Sequence, residues 1–465
     1  MKRLFLLTSL ILSFFSLIFA STAFAQETNK FGIHILEPAD LEKANELVNS
    51  NGGDWGWVTV VIREDDLNSD KWQDFFDQCR IKHLIPLVRL ATHLEGINWA
   101  KPKVEDSQKW VDFWGSLNWP VKDQYVIIFN EPNHKKEWGG EVNPREYAKI
   151  LSEFNSKFKI QNSKFKILNA GFDLAAPNGK ETMDAFQFWS WMKATIPDIF
   201  EKLDGWSSHS YPNHGFIGKP WENSRTSIKG YNWELAILKN QFGLKKELPV
   251  FITETGWPKT NSEIKDKKSK FVNEVTAAKY LKYAFENVWL KDSRIMAVTP
   301  FVLNYPDDLF APFSWMDKDG NPYQQFFEIK NLVKKSWWPE QIEKYEMKSL
   351  LIPSFMPVNT TFKGKITLKN IGQSIWGEKG EWQIENQTPM GLNVSNIVLS
   401  PNIKVLPGET VEIEFTVSTA SESGDFELSW EDLPKQNLKV LPYSIIASAR
   451  YTFWEKVLLK IKEIF

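Results

Sequence analysis

The chain has one cysteine, Cys79, in 465 residues. That excludes an intrachain disulfide framework and any CxxC zinc site. Charge of one sign is missing too. The 56 Lys and Arg against 58 Asp and Glu leave −2, far from the positive balance of a nucleic-acid binder. The six histidines form neither HExxH nor a clustered ligand spacing, so no catalytic metal and no cofactor are expected. No GxGxxG or P-loop string occurs, which counts against a doubly wound nucleotide fold. A long apolar run does appear at residues 4–20, behind Met1-Lys2-Arg3 and ahead of Ala23-Phe24-Ala25. That is the layout of an export signal over 1–25, giving a secreted or cell-surface protein; an uncleaved anchor is the alternative. What abounds is aromatic: 22 Trp, 33 Phe and 11 Tyr. Most must be core, although indole faces also stack well on the apolar faces of sugars.

From residue 31 onward, short β-rich apolar runs alternate with amphipathic stretches. The runs are 31–36, 57–62, 84–90, 125–129, 165–170, 205–209, 250–253 and 297–303. Helical patterns lie between them at 40–49, 69–80, 105–117, 144–159, 182–192, 233–241 and 273–290, with a last one at 322–335. Nearly continuous apolar runs suit strands buried on both faces. Eight such units predict an α/β fold, a (β/α)8 TIM barrel over 26–338. Cys79 falls in a helical pattern, where a buried, inert thiol is expected.

In a barrel of this kind the chemistry sits at the C-terminal strand ends. Those ends are polar here. They carry His34, then Arg63-Glu64-Asp65, then Arg89 and His93, then Asn130-Glu131-Pro132-Asn133. Later ends carry His209 and Tyr211, then Glu254, then Asn304 and Tyr305. Glu131 and Glu254 each follow four apolar strand residues, an expensive place for a carboxylate without a purpose. Two such carboxyls facing one pocket are what a retaining glycosidase needs, one protonated and one ionised.

The string FNEPN (129–133) resembles the Asn-Glu-Pro motif of clan A, the retaining glycoside hydrolases with barrel folds. ITETGWP (252–258) resembles that clan's nucleophile strand and is close to the plant-type β-1,3-glucanases of family 17. His209-Ser210-Tyr211 resembles the His-x-Tyr of the cellulase-like family 5. The resemblance implies that Glu131 is the acid/base, Glu254 the nucleophile and Asn130 the holder of the sugar 2-hydroxyl. It implies that Tyr211 hydrogen-bonds the nucleophile, that Arg63 supports it in preference to Arg89, and that His93 stands at the third strand. His34 and Asn304 join as polar groups at the mouth. Trp257, Trp315, Trp138 and Trp221 are candidate sugar platforms. Family 5 usually has a Trp at the eighth strand end, where this chain reads Phe301.

A charged stretch at 339–348 reads as a linker. Residues 349–441 then change to short alternating strands, predicting a small all-β, Ig-like sandwich. KNIGQSIW, LPGETVEIEF and SGDFELSW resemble the four-tryptophan domain of autophagy cargo receptors, which also occurs in exported bacterial proteins. The resemblance rests on Trp376, Trp382 and Trp430, and either a binding module or a spacer fits it. The tail 442–465 ends in the amphipathic YTFWEKVLLKIKEIF, too short and charged to span a bilayer but able to lie on a membrane or cell wall. The expected function is hydrolysis of a β-linked polysaccharide by double displacement, endo-acting. A non-hydrolytic carbohydrate-binding scaffold, or a transglycosylase, is the alternative.

Overall fold

The computed structural model describes residues 28–260, 270–305 and 309–442. The export signal expected over 1–25 and the tail from 443 onward lie outside the described residues. The chain is mixed α/β, with parallel sheets followed by an all-β part. Contacts divide it into two compact units, with breaks at Leu117/Asn118, Lys122/Asp123 and Pro339/Glu340.

Each apolar run carries a strand. These are β1 (Gly32–Ile35), β2 (Gly56–Arg63), β3 (Leu84–Ala91), β4 (Gln124–Ile127), β5 (Phe165–Leu168), β6 (Trp206–Ser208), β7 (Val250–Ile252) and β8 (Ile295–Val298). β8 ends earlier than its run, because Pro300 has no N–H to give the ladder. Among the described residues eight α-helices alternate with them: α1 (Leu41–Val48), α2 (Ser69–Ile81), α3 (Ser107–Ser116), α4 (Pro144–Gln161), α5 (Ala185–Thr195), α6 (Gly230–Asn240), α7 (Glu274–Ala284) and α8 (Gln324–Lys330). Side-chain caps set several starts. Asn68 accepts from Lys71 N, Asn143 from Glu146 N, and Asp184 from Phe186 N and Gln187 N. The Asp184 cap explains why α5 begins three residues after the expected Thr182. α7 stops at Ala284 and gives way to a π turn, Phe285–Trp289.

β1 to β5 form one parallel sheet in chain order, and β6 to β8 form a second. Single parallel bridges join Leu168 to Gly205 and Phe31 to Val298, at the outer edges of the two sheets. Their side chains also meet. The Trp57 ring packs edge-on against Tyr125 (5.4 Å) and Phe251 (5.8 Å). Above these rings, Thr59 bonds Thr299 (2.8 Å) and Ser207 bonds Thr253 (2.7 Å). An apolar floor therefore lies below a hydroxyl layer, and the charged strand ends stand above both.

The second unit has two larger sheets around one core, with a two-stranded ladder, Gln383–Ile384 against Ile397–Val398, beside them. One runs Tyr345–Leu351, Thr361–Asn370, Thr410–Thr419, Leu392–Val394, all antiparallel. The other holds Phe355–Pro357, Gln436–Leu441 and Gly424–Leu428. Ile366, Leu368 and Phe415 of the first meet Met356, Leu438 and Val440 of the second in the core cluster. Tyr345–Leu351, whose opening residues were read as linker, is an edge strand. Its charges are edge protection, with Lys348 paired to Glu346 at 2.7 Å.

Cys79 is fully buried, and burial pushes its thiol up. Glu234, on α6, is also fully buried, with Ser208 and Trp206 beside its carboxyl. Burial raises its pKa to about 7. Such a group favours the fold below its unfolded pKa of about 4.5 and loses that contribution as pH rises to about 7. The Glu234→Gln variant should gain on the wild type by about 3 kcal/mol between those pH values, read from denaturant unfolding. A difference that stays constant with pH would refute the buried titration.

Candidate active site

The site is built where β4 leaves its sheet. Ile128 N still bonds Leu168 O (3.1 Å), and Glu131 N bonds Gly171 O (3.1 Å). Between those two anchors the chain bulges outward. Phe129 (φ 68°) and Glu131 (φ 28°) occupy left-handed backbone, a strained state for residues with a Cβ. The bulge aims Asn130 and Glu131 into a cleft of about 860 Å³. At the end of β7, Thr253 N bonds Ser208 O (3.1 Å) and Thr255 Oγ1 bonds Ser210 O (2.7 Å), which fixes Glu254 between them.

The two glutamates meet. One oxygen of each, with one ring nitrogen of His209, lies within 4.8 Å of the others. His209 Nδ1 is 2.8 Å from Glu131 Oε1 and 3.7 Å from Glu254 Oε2. The Tyr211 hydroxyl donates to Glu254 Oε2 at 3.1 Å. Arg89 Nη1 donates to Glu254 Oε1 and, at 2.8 Å, to Asn130 Oδ1. Gly171 makes room for the imidazole, since a Cβ there would stand 2.0 Å from His209 Cδ2.

The electrostatics hold Glu254 ionised. Burial disfavours the Glu254 anion, but the charges of His209 and Arg89 overcome it and hold the carboxyl at about 2. Burial likewise opposes a charge on His209, and the two glutamates raise its pKa regardless. Burial, reinforced by Glu254, keeps Tyr211 a phenol and a donor. His34 lies fully buried 3.9 Å from Glu254, and burial with the Arg89 charge lowers it to about 3, so it is neutral. Glu131, His209 and Glu254 have donor types that suit a metal, and Arg89 stands beside them as a permanent cation.

Other expected residues lie elsewhere. Arg63 pairs with exposed Asp65 (2.8 Å) on the cleft wall, and Arg89 takes the place expected of it. Register explains this: Arg89 is level with Val61, while Arg63 is level with Ala91, two residues further out. His93 is on the surface with Glu64 and Glu95. Asn304 bonds Asp40 and does not line the cleft. Trp257, Trp315 and Trp138 are buried, with Trp257 Nε1 on Gly218 O (2.7 Å) and Trp138 Nε1 on Glu146 (2.9 Å). Trp221 is exposed but outside the cleft. The rings that do line it include Trp72, Trp99, Phe216, Phe301, Tyr305 and Phe313. Sequence reasoning also passed over Glu137 and the His134–Asp173 pair (3.0 Å), which enter the cleft on loops with no strand pattern to mark them.

No family model and no curated protein matches this chain. Solved structures align with it at low identity. A monomeric β-xylosidase from Caulobacter crescentus CB15 gives a TM-score of 0.47 at 12% identity, covering 84% of this chain and 97% of that one. The GH53 catalytic domain of Ignisphaera aggregans gives 0.45 at 13%, covering 66% and 96%. The endo-β-1,4-glucanase Xac0029 from Xanthomonas axonopodis pv. citri gives 0.44 at 10%, covering 65% and 97%.

The two arginines can be told apart by titration. In Arg89→Met, Glu254 should rise from about 2 toward the ordinary carboxylate range, because a neighbouring cation is gone. Arg63→Met should leave it unchanged. Carbon-13 NMR of labelled glutamate reads both, and equal behaviour of the two variants would contradict the placement.

Proposed function

We propose that this protein is a retaining glycoside hydrolase that cleaves a β-linked polysaccharide by double displacement. The observation that carries the reading is the carboxyl pair, with oxygens inside 4.8 Å, Glu254 held ionised and Glu131 hydrogen-bonded to His209. A retaining enzyme works with carboxyls about 5–5.5 Å apart, whereas an inverting one leaves room for water between them. In the same reading, the two parallel sheets are arcs of one (β/α)8 barrel whose C-terminal mouth is the cleft. The all-β unit after it is an Ig-like sandwich.

Glu254, held ionised, attacks the anomeric carbon. Glu131 passes a proton to the departing glycosidic oxygen; in the free enzyme that proton is shared with His209, 2.8 Å away. A covalent glycosyl ester forms on Glu254, and Glu131 then takes a proton from the water that releases the sugar. Configuration is retained by two inversions. Tyr211 and Arg89 offset the charge that returns to Glu254 as the ester breaks.

The cleft supports action on a chain and not on a terminal sugar alone. One wall is aromatic, with Phe301, Tyr305 and Phe313; the other is polar, with Glu37, Arg63 and Asp66. Apolar sugar faces suit the first and hydroxyls the second. Export by the 1–25 segment would put the enzyme where polysaccharide is.

Reducing-sugar release over a panel of β-glucans, mannans, xylans and galactans tests the proposal. Glu254→Ala and Glu131→Gln should each lose about a thousandfold or more in rate. Product anomers read by proton NMR should keep the substrate configuration. Near-wild-type turnover in either variant, or inverted product, would reject it.

A further inference from the structure

Glu137 lines the cleft close to Glu131, and the double-displacement scheme leaves it without a role. It sits in the 3₁₀ turn Lys135–Glu137, which follows the FNEPN string directly. Asn130 Nδ2 donates to Glu137 Oε2 at 3.2 Å, while Asn130 Oδ1 accepts from Arg89 at 2.8 Å. The amide is thus held at both ends, by a cation on its oxygen and a carboxyl on its nitrogen. Reversing it would set two donors together on one side and two acceptors together on the other. The run Glu254–Arg89–Asn130–Glu137 is continuous across the site.

We propose that Glu137 is a positioning residue of this site: it locks the Asn130 amide through Nδ2 and, as a further titratable carboxyl, opposes loss of the proton from Glu131. The inference rests on the glycosidase reading above. The charged groups that face Glu137 are Glu131 from the end of β4, Arg89 from β3, Glu254 from β7 and His134 from the intervening loop. Burial, then the Glu131 charge, raises its carboxyl to about 7, with Asn130 and Arg89 pulling the other way. Near neutral pH it gains a charge beside Glu131, and like charges resist forming together. Removing that charge makes Glu131 easier to deprotonate.

The test uses the full chain and an aryl β-glycoside of whichever sugar the panel identifies. In Glu137→Gln the amide oxygen still accepts from Asn130, so kcat below pH 6 should stay within about twofold of wild type. Its alkaline limb should move to lower pH. In Glu137→Ala the limb should move likewise, and kcat should fall about tenfold or more with KM little changed, because the Asn130 amide is free to turn. A limb that stays put in both variants, or full kcat in Glu137→Ala, overturns the role while leaving a working glycosidase. If the panel shows no turnover, labelled-glutamate NMR still decides. With Glu234, which also titrates near pH 7, replaced by Gln, a carboxyl titrating near pH 7 must remain and must vanish when Glu137→Gln is added; its survival then, or its absence before that change, overturns the proposal.

Discussion

Two carboxyl groups cannot share a poorly solvated cleft within 4.8 Å and both be ionised without nearby cations. The arrangement of this site follows from that constraint. Arg89 rises from β3 because Glu254 needs a permanent positive charge, and His209 comes from β6 because Glu131 needs a partner that can hold or release a proton. Gly171 lacks a side chain because the imidazole fills that space. Even the strained backbone at Phe129 and Glu131 has this origin, since a regular strand would carry the carboxyl past its partners. The barrel-like interior sets the height at which these groups meet. Aromatic rings and then hydroxyls fill it from below, which leaves only the strand ends open to solvent.

The two parallel sheets and the glutamate pair could be read from the chain because both leave periodic traces. A buried strand is a run of apolar residues, and a carboxylate that ends such a run stands out against the cost of burying it. Glu131 and Glu254 both satisfy this. The choice between Arg63 and Arg89 did not depend on any such trace. Both close a strand, and only the register between β2 and β3 shows that Arg63 stands about 6.6 Å further out. Glu137 is invisible for a different reason. It lies seven residues beyond Asn130 in a loop, and only the 3₁₀ turn swings it back.

The tryptophans show the same limit from the other side. An indole that stacks on sugar and an indole that packs a loop look alike in sequence. What separates them is whether the ring reaches the cleft. Trp257 and Trp138 spend their N–H groups on Gly218 and Glu146, which anchors each ring in its loop. Phe301, Phe216 and Phe313 have no such demand. They form an edge-to-face wall, with Phe301–Phe313 at 5.8 Å and Phe216–Phe313 at 5.3 Å, and present hydrocarbon to the cleft. The second unit behaves alike: Trp376 is buried, and Trp382 lies flat upon it at 4.3 Å with its outer face partly open.

The site also leaves buried polar atoms unsatisfied. Neither ring nitrogen of His34 has a partner among the described residues, and the same holds for Nε of Arg89. Each such orphan costs about 1–3 kcal/mol. Apolar replacements would relieve that cost. A neutral imidazole at His34 nevertheless keeps a polar, uncharged floor beneath Glu254 that a leucine would not supply, and Arg89 cannot be turned to free its Nε without dropping either Glu254 or Asn130. The side-chain caps at Asn68, Asn143, Asp184 and Asn273 lie on the helices, away from these strand ends, and contribute about 1 kcal/mol each. The caps satisfy the helix starts, while orphaned polar atoms remain both at these strand ends and elsewhere in the buried interior.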